Sequence, residues 1–253
     1  MKNGSSVTAP ARLRTHQHPQ ATAPDRIGRW STSVELAGLL RYNSHFESDP
    51  PHELFLRRHL KAGQTAFTAG QPFDGLFAVR RGTLKTTITH AHGDEHVLAF
   101  PMKGSLLGFD GVGRSTYMSD AVALSDCDLI HVPDTHLLKP INTSSSPLAQ
   151  MLDWACGREI TQEQDAYSQG RNVDPDVRVT KFLHAMLMRF EVADMSPYRM
   201  AMPLTPNDVA QHLNLPKKAV RQAFTTLAGL GILGENASGI TILSPDGLSN
   251  LKN

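Results

Sequence analysis

The fold is decided by residues 204–231, which read Leu-Thr-Pro-Asn-Asp-Val-Ala-Gln-His-Leu-Asn-Leu-Pro-Lys-Lys-Ala-Val-Arg-Gln-Ala-Phe-Thr-Thr-Leu-Ala-Gly-Leu-Gly. Thr205 is a good helix N-cap, and Pro206 suits the first helical position. Asn214 stands at a corner, where asparagine tolerates the left-handed conformation that a tight turn between helices needs. Pro216 opens the second helix. The stretch therefore predicts a helix-turn-helix.

Both predicted helices have one apolar face at helical spacing, formed by Val209, Ala210, Leu213, Val220, Ala223, Phe224 and Leu227. The other face of the second helix is basic, and the sequence has no acidic residue between Asp208 and Glu235. Such a face suits the DNA major groove, where cations neutralise phosphates and read guanine edges. A solvated basic face on an ordinary helical hairpin is the alternative. We predict DNA contacts at Thr205, Lys217, Lys218, Arg221 and Gln222.

Two short β-rich runs follow at once, over residues 231–234 and 239–242, with glycine at their ends. Such a pair predicts a small hairpin. A helix-turn-helix followed by a small hairpin is typical of a winged helix. We therefore predict a winged-helix DNA-binding domain over residues 171–253.

Length and composition set further bounds. The 253 residues suffice for two domains, and the net charge of +1 means that affinity for nucleic acid must come from a local patch. Two cysteines cannot form a disulfide framework. The sequence has neither an apolar run long enough to span a membrane nor a signal core. We expect no membrane association and a cytoplasmic location.

The sequence pattern changes along the N-terminal half of the chain. Residues 1–32 lack an apolar period and predict a mobile tail, and residues 34–42 and 52–60 resemble short helices. Brief β-rich runs separated by glycines then follow, at residues 76–79, 84–89, 97–100, 121–124 and 129–133. Short strands at this spacing predict a small β-barrel or jelly roll, which we place within residues 33–143.

A long helix is predicted within residues 144–170, followed by another from Asp174-Pro175. The long helix has one narrow stripe that is either core or a dimer seam, because a single apolar stripe suits both. We predict dimerisation through that stripe, at Leu148, Leu152, Ala155, Ile160, Glu163 and Tyr167. The complete chain is predicted to be α+β: a β jelly-roll sensor, a long dimerisation helix and a C-terminal winged helix-turn-helix.

This order resembles the Crp/Fnr family of bacterial transcription regulators over about residues 52–248. One segment that carries the resemblance includes Lys61-Ala62-Gly63-Gln64-Thr65 and the run from Leu76 to Lys85; the other is the winged helix. Gly93-Asp94-Glu95 and Leu106-Leu107-Gly108-Phe109-Asp110 are more similar to the Fnr branch than to the cyclic-AMP receptor branch. The barrel is therefore expected to be of the cyclic-nucleotide-binding type.

The resemblance implies a transcription regulator that binds a palindromic operator in double-stranded DNA as a homodimer and recruits RNA polymerase. Two recognition helices would enter successive major grooves, roughly 34 Å apart. The polymerase contact of Fnr-like proteins matches Ile88, Thr89, Gly93 and Asp94. An ordinary exposed turn is the alternative for these four residues.

The sequence departs from the family pattern at positions where family members bind cofactors. The N-terminal region lacks the cysteines of the Fnr cluster, and Cys127 does not align with the barrel cysteine, so we expect no iron–sulfur cluster. Cyclic-nucleotide binders use a Gly-Glu pair and an Arg-Ser or Arg-Thr pair. Here the matching pairs are Gly108-Phe109 and Met118-Ser119, although Arg114 lies nearby. Because a phosphate would lack its counter-charge, we expect no bound cyclic nucleotide.

The exposed face of the second helix also departs from the family pattern. Many family members place a glutamate, and four residues on an arginine, to read cytosine and guanine. Here Lys218 and Gln222 stand at those positions, with Arg221 between them. Since lysine only donates hydrogen bonds, it cannot accept the cytosine amino proton. We predict a non-standard operator, with Lys218 or Arg221 favouring guanine and Gln222 favouring adenine.

Two other functions fit parts of the sequence. His90-Ala91-His92-Gly93-Asp94-Glu95 resembles the metal-binding motif of cupin barrels, which would make the barrel a metal-dependent enzyme. Its spacing to the flanking glycines is wrong for cupins and a fourth ligand is not evident, so we predict neither a metal site nor an enzyme. Alternatively, a regulator that has lost its ligand residues would act independently of any ligand.

Overall fold

The computed structural model describes residues 30–42, 53–90, 92–137, 147–168, 173–192, 200–237 and 239–251. These residues form a β-sandwich, two long helices and a C-terminal helical domain with a small sheet. The predicted domain boundaries at 143/144 and 170/171, and most of the predicted tail, lie outside the described residues. Within the described part, no helix has the length and apolar character needed to cross a membrane.

The N-terminal segment forms a strand and a helix against the barrel. Strand β1 (Trp30–Thr32) leads into helix α1 (Ser33–Leu40), which confirms the first predicted short helix. The Thr32 side chain accepts a hydrogen bond from the backbone N–H of Glu35, at 3.1 Å, and so caps the helix. Residues 30–32 were predicted to belong to the mobile tail; this is corrected, because they form β1 and pair with the next strand.

Eight further strands complete the sandwich: β2 (Leu54–Leu60), β3 (Thr65–Phe67), β4 (Gly75–Arg81), β5 (Leu84–Thr89), β6 (Glu95–Ala99), β7 (Leu106–Leu107), β8 (Asp120–Ala123) and β9 (Cys127–Pro133). One sheet has the order β1-β2-β9-β4-β7 and the other β3-β8-β5-β6. The helix predicted over residues 52–60 is wrong, because this segment is β2. It lies between β1 and β9, and pairing on both sides overrides its local preference.

Tyr117 is the largest fully buried side chain of the sandwich. Its ring stacks on Phe67, with the centroids 4.0 Å apart. Its hydroxyl donates to Oδ1 of Asp74, at 2.6 Å, and to the Gly75 carbonyl, at 2.8 Å. Gly108 must be glycine here, since its φ is +83° and an added Cβ would lie 2.9 Å from the Tyr117 ring.

Two long helices connect the sandwich to the C-terminal domain. Helix α2 (Pro147–Ser168) buries its first half against the sandwich, and helix α3 (Pro175–Val192) forms the centre of the C-terminal domain. The predicted positions of both helices are confirmed. Arg158 of α2 donates to the backbone carbonyls of Leu40 and Gly104, each at 2.7 Å, which fixes this helix on α1 and the sandwich.

The C-terminal domain contains strand β10 (Met200–Met202), helices α4 (Pro206–Leu213) and α5 (Lys217–Gly229), strands β11 (Leu233–Asn236) and β12 (Gly239–Ile242), and helix α6 (Pro245–Asn250). The three strands form a sheet of order β10-β12-β11. The hairpin predicted after the helix-turn-helix is confirmed. Strand β10 was not predicted from the sequence, because it is three residues long and pairs with distant β12, so no local pattern marks it.

Candidate nucleic-acid interface

The first helix of the helix-turn-helix begins with a complete capping box. The Thr205 hydroxyl accepts from the backbone N–H of Asp208, at 3.1 Å. In return, Oδ2 of Asp208 accepts from the Thr205 backbone N–H, at 3.0 Å, and from its hydroxyl, at 2.6 Å. Thr205 is exposed, but both of its donors are used inside the protein. Its DNA contact stays a prediction, and its observed role is to cap α4.

The corner between the helices has the predicted conformation. Asn214 is left-handed, with φ 49° and ψ 52°, and the Leu215 N–H donates to the Ala210 carbonyl at 3.0 Å. Ala210 is 2% exposed, as expected of a small residue where two helices cross closely. From α3, a guanidinium N–H of Arg178 donates to the Leu213 carbonyl and holds the end of α4.

Helix α5 is anchored on one side and free on the other. Its buried residues are the predicted ones: Val220, Ala223, Phe224 and Leu227. Lys217, Lys218, Arg221 and Gln222 are all exposed on the remaining surface. We call these four residues the reading face. Thr225, one turn beyond Arg221, is also exposed next to it; the charge pattern gave no signal for this position, because its side chain is neutral.

The hairpin of β11 and β12 lies beside the helices. Its register pairs Asn236 with Gly239 at the turn, and the side chain of Leu233 is buried. Gly239 has φ +125°, and an added Cβ would lie 2.1 Å from the Met202 carbonyl oxygen. Glycine is therefore required where β12 passes the end of β10. Its predicted role at the end of the hairpin has this steric basis.

The predicted polymerase-contact residues lie together on the β5–β6 hairpin. Thr89, Gly93 and Asp94 are exposed and Ile88 is half-buried. Gly93 has φ +85°, and its N–H donates to the His90 carbonyl at 2.8 Å. Among the residues that the structure describes, no three histidine, cysteine or carboxylate side chains group as metal ligands. The hairpin is thus an accessible turn whose contact with a partner stays a prediction.

For part of the apolar stripe of helix α2, the burial of the side chains decides between a core position and a dimer seam. Leu148, Leu152 and Ala155 are buried in the cluster formed with the sandwich of the same chain. For these three, the assignment to a seam is corrected, because their own barrel already covers them. Ile160 is 44% exposed and remains accessible to a partner. The side chains of Glu163 and Tyr167 lie outside the described residues.

The opposite face of α2 has exposed side chains that the sequence pattern did not single out. Trp154 is 43% exposed, and the Arg158 guanidinium lies 5.1 Å from its ring centroid. Gly157 has open space beside it, and Thr161 is exposed. Together with Ile160, they form a continuous outward stripe at helical spacing. The helical spacing of these exposed residues is visible in the sequence, but the seam was assigned to the apolar stripe, part of which is buried.

Of the residues matching the nucleotide pairs, Gly108, Phe109 and Ser119 line a cavity of about 380 Å³ between the sandwich and α3. Phe109 occupies the position of the expected glutamate, and Ser119 donates to Oδ2 of Asp110, at 2.6 Å. Met118 is 47% exposed in place of an arginine. Arg189 of α3 lines the cavity and donates to the Ser105 hydroxyl, at 3.1 Å.

The two cysteines lie apart, in β9 and α2. Cys127 is buried and donates to the carbonyls of Thr83 and Ser125. Burial raises the pKa of the Cys127 thiol, and burial also raises the pKa of Cys156 to about 11. Both side chains are therefore protonated thiols at neutral pH.

Comparison with known proteins agrees with this architecture. Residues 57–144 match the family model of the cyclic nucleotide-binding domain. The Fumarate and nitrate reduction regulatory protein of Escherichia coli (strain K12) is 27% identical over 195 residues, which are 77% of this chain and 78% of that protein. The Fumarate nitrate reduction regulatory protein of Klebsiella oxytoca has the same identity over the same shares of both chains.

Two solved structures share the fold. FixK2 from Bradyrhizobium japonicum superposes with a TM-score of 0.67 at 20% identity, over 79% of this chain and 98% of that one. A CRP-family transcriptional regulator from Thermus thermophilus gives a TM-score of 0.62 at 11% identity, over 77% and 96%. The overall fold of this chain is thus shared with both structures. The chain is similar, over about three quarters of its length, to transcription regulators of the Crp/Fnr type.

Proposed function

We propose that the protein regulates transcription by binding a palindromic DNA operator as a homodimer. The observation that carries this proposal is the reading face of α5. Three cations and a glutamine project from a helix whose other side is fully buried, so they are held on a rigid support. Such a helix fits the major groove of B-DNA, and it has no acidic residue to repel phosphate.

The residues of the reading face would make two kinds of DNA contact, with bases and with phosphates. Arg221 and Gln222 follow each other near the centre of the exposed surface, where bidentate contacts to guanine and to adenine are geometrically available. Lys217 begins the helix and is suited to a phosphate. Lys218 reads guanine or contributes a second phosphate contact. An operator half-site should therefore differ from that of family members with a glutamate and an arginine at these positions.

Dimerisation would use the outward stripe of α2, formed by Trp154, Gly157, Ile160 and Thr161. A glycine with open space beside it allows a partner helix to approach closely, and the flanking Trp154 and Ile160 would then bury apolar surface. In a two-fold dimer, Glu163 and Tyr167 would continue the seam predicted from the sequence. The two recognition helices would then enter major grooves one helical turn apart.

The β5–β6 hairpin would contact RNA polymerase in the DNA complex. Thr89, Gly93 and Asp94 are accessible on its tip. Relatives of this chain are transcription regulators, which supports a regulatory function over the cupin-like enzyme. The cavity beside Phe109 lacks the glutamate and arginine pattern of a cyclic-nucleotide site, so we propose that no cyclic nucleotide binds there.

Selection of binding sites from random DNA with the purified protein tests this function. We expect a palindrome with half-sites about 10 base pairs apart, and affinity that falls steeply with salt because phosphates are neutralised. Arg221→Ala should relax the selected sequence at one position of each half-site, whereas Lys103→Ala, at an exposed lysine of the sandwich, should leave the selected sequence unchanged. Failure to enrich any sequence, or recovery of one without symmetry, would contradict the proposal.

A further inference from the structure

Helix α4 rests on the sandwich with one face. Val209 and Ala210 of this helix belong to the same buried cluster as Val97 and Phe100 of the sandwich. Asp208 and His212 are spaced four residues apart on α4, and both make polar contacts with the β5–β6 hairpin. The helix-turn-helix is thus docked on the sensor domain by a mixed apolar and polar surface.

Lys85 of β5 is the charged centre of this docking surface. Its Nζ lies 3.1 Å from Oδ1 of Asp208 and 2.9 Å from Oε1 of Glu95. Burial lowers the pKa of Lys85, but the hydrogen bonds with Glu95 and Asp208 outweigh burial, and the net pKa is raised. The amine is therefore charged at neutral pH. Without it, two carboxylates would face each other across the two domains.

The same carboxylate links docking to the start of α4. While Oδ1 of Asp208 binds Lys85, its Oδ2 closes the capping box with Thr205. Asp208 is 5% exposed, so water cannot replace either set of partners easily. The same side chain thus joins β5 to the first turn of α4, which leads through the corner at Asn214 to α5.

The docked arrangement leaves the reading face exposed. Lys217, Lys218, Arg221 and Gln222 are accessible while Lys85 holds α4. We propose that Lys85 is a positioning residue for DNA binding, which holds the helix-turn-helix on the sensor domain so that both copies in a dimer present their reading faces at a fixed separation. This inference rests on the proposed function, since it presupposes a dimer on a palindrome.

The physical reason is preorganisation. If the helix-turn-helix is free to move relative to the sandwich, ordering two such units on DNA costs entropy that a docked pair has already lost. A single unit on a single half-site does not need the second to be aligned. Loss of docking should therefore weaken binding to a palindrome more than to a half-site, and make binding tolerant of altered spacing.

The test uses the full-length protein and three variants. Lys85→Met removes the charge but keeps the length, Lys85→Arg keeps the charge, and Lys61→Met removes an exposed lysine paired with Asp126 within the sandwich. Binding is measured by fluorescence anisotropy on the selected palindrome, on one half-site, and on palindromes with one base pair inserted or deleted at the centre. Circular dichroism and thermal unfolding establish that each variant is folded at the temperature of measurement.

For Lys85→Met, we expect affinity for the palindrome to fall about 10-fold and affinity for the half-site to fall less than about 3-fold, since only alignment is lost. Discrimination against altered spacing should decrease, and Lys85→Arg should restore it. Lys61→Met should behave like wild type. Wild-type spacing discrimination in a folded Lys85→Met would overturn the inference, as would tighter binding, which would make docking inhibitory. If wild-type protein binds no DNA, the proposed function fails instead.

Discussion

Nδ1 of His212 lies 3.1 Å from the Val97 carbonyl oxygen, so α4 is hydrogen-bonded to strand β6. A carbonyl only accepts, and Nδ1 must therefore carry the proton. The ring lies between Phe100 and Phe182, with centroid distances of 5.3 and 5.1 Å. Burial in these surroundings, together with repulsion from His96 and Arg189, lowers the pKa of His212 to about 4, against hydrogen bonds to the backbone of Val97 and Leu98.

The first prediction is that acid weakens the docked structure. The pKa of His212 is about 4 when docked, against 6.5 when free, so the undocked or unfolded state binds more protons between these values. Stability is therefore fully present above pH 6.5 and decreases as the pH falls towards 4, by up to about 3 kcal/mol. Urea unfolding across this pH range should show the loss.

His212→Gln provides the control for that prediction, because glutamine does not titrate. This variant should be less stable at pH 7.5 but should lose less stability between pH 6.5 and pH 4. His92→Gln, at an exposed histidine of the β5–β6 hairpin, is the matched control and should show the same loss of stability as wild type. An unchanged slope in His212→Gln would assign the acid sensitivity to other groups.

A second prediction concerns the buried hydroxyl of Tyr117. Tyr117→Phe leaves the acceptors Asp74 and Gly75 without their donor, and should lower the free energy of unfolding by about 1–3 kcal/mol. Asp74→Asn keeps an acceptor oxygen for the hydroxyl and should cost less. Urea denaturation of both variants measures the difference. Equal stabilities of Tyr117→Phe and wild type would mean that the hydroxyl is not stabilising.

The helix-turn-helix was predictable from sequence because its determinants are local. Thr205, Pro206 and Asn214 mark the start and the corner within ten residues, and the corner has the expected left-handed backbone. Contacts between distant residues were not predictable. Strand β2 depends on pairing with β1 and β9, and Lys85 and Asp208 are separated by 123 residues.

Helix α2 shows another limit of prediction from sequence. Its apolar stripe was recognised, but the pattern does not say whether a side chain is buried by its own chain or by a second copy. Leu148 and Leu152 are covered by the sandwich, whereas Ile160 is not. In the candidate site, the reading face was predicted from helical spacing, charge and the family resemblance, and none of these could reveal that Thr205 uses its donors to cap α4.

A third prediction tests the corner. Because Asn214 is left-handed, Asn214→Ala should destabilise the protein by about 1 kcal/mol, as the Cβ is unfavourable there. Asn214→Gly should be neutral or slightly stabilising, since glycine adopts this conformation freely. Thermal unfolding measures both. If alanine is tolerated as well as glycine, the corner is not left-handed in solution.

A fourth prediction separates reading from positioning on DNA. Arg221→Ala should lose about 1–3 kcal/mol of discrimination at one base pair of each half-site, with little change at other positions. Lys217→Ala should instead weaken binding to every sequence and reduce the salt slope by about 1 for each protomer. Binding to a panel of single-base variants, at several salt concentrations, distinguishes the two effects. Similar profiles for both variants would contradict the assignment.

The last prediction concerns Gly157 on the outward stripe of α2, where two substitutions distinguish a free surface from a seam. On a free helix surface, Gly157→Ala should stabilise the protein by about 0.5–1 kcal/mol, and Gly157→Leu should be harmless, because alanine and leucine favour helix more than glycine does.

In a seam, leucine would hold the partner helix away and expose Trp154 and Ile160. We expect Gly157→Leu to convert the dimer to monomer in sedimentation equilibrium and to weaken binding to the palindrome. Gly38→Leu is the matched control, since Gly38 is likewise an exposed helical glycine with open space beside it, in α1 and outside the stripe. A Gly157→Leu protein that stays dimeric would place the seam elsewhere, because an added side chain at a close helix crossing cannot be accommodated without separating the two helices.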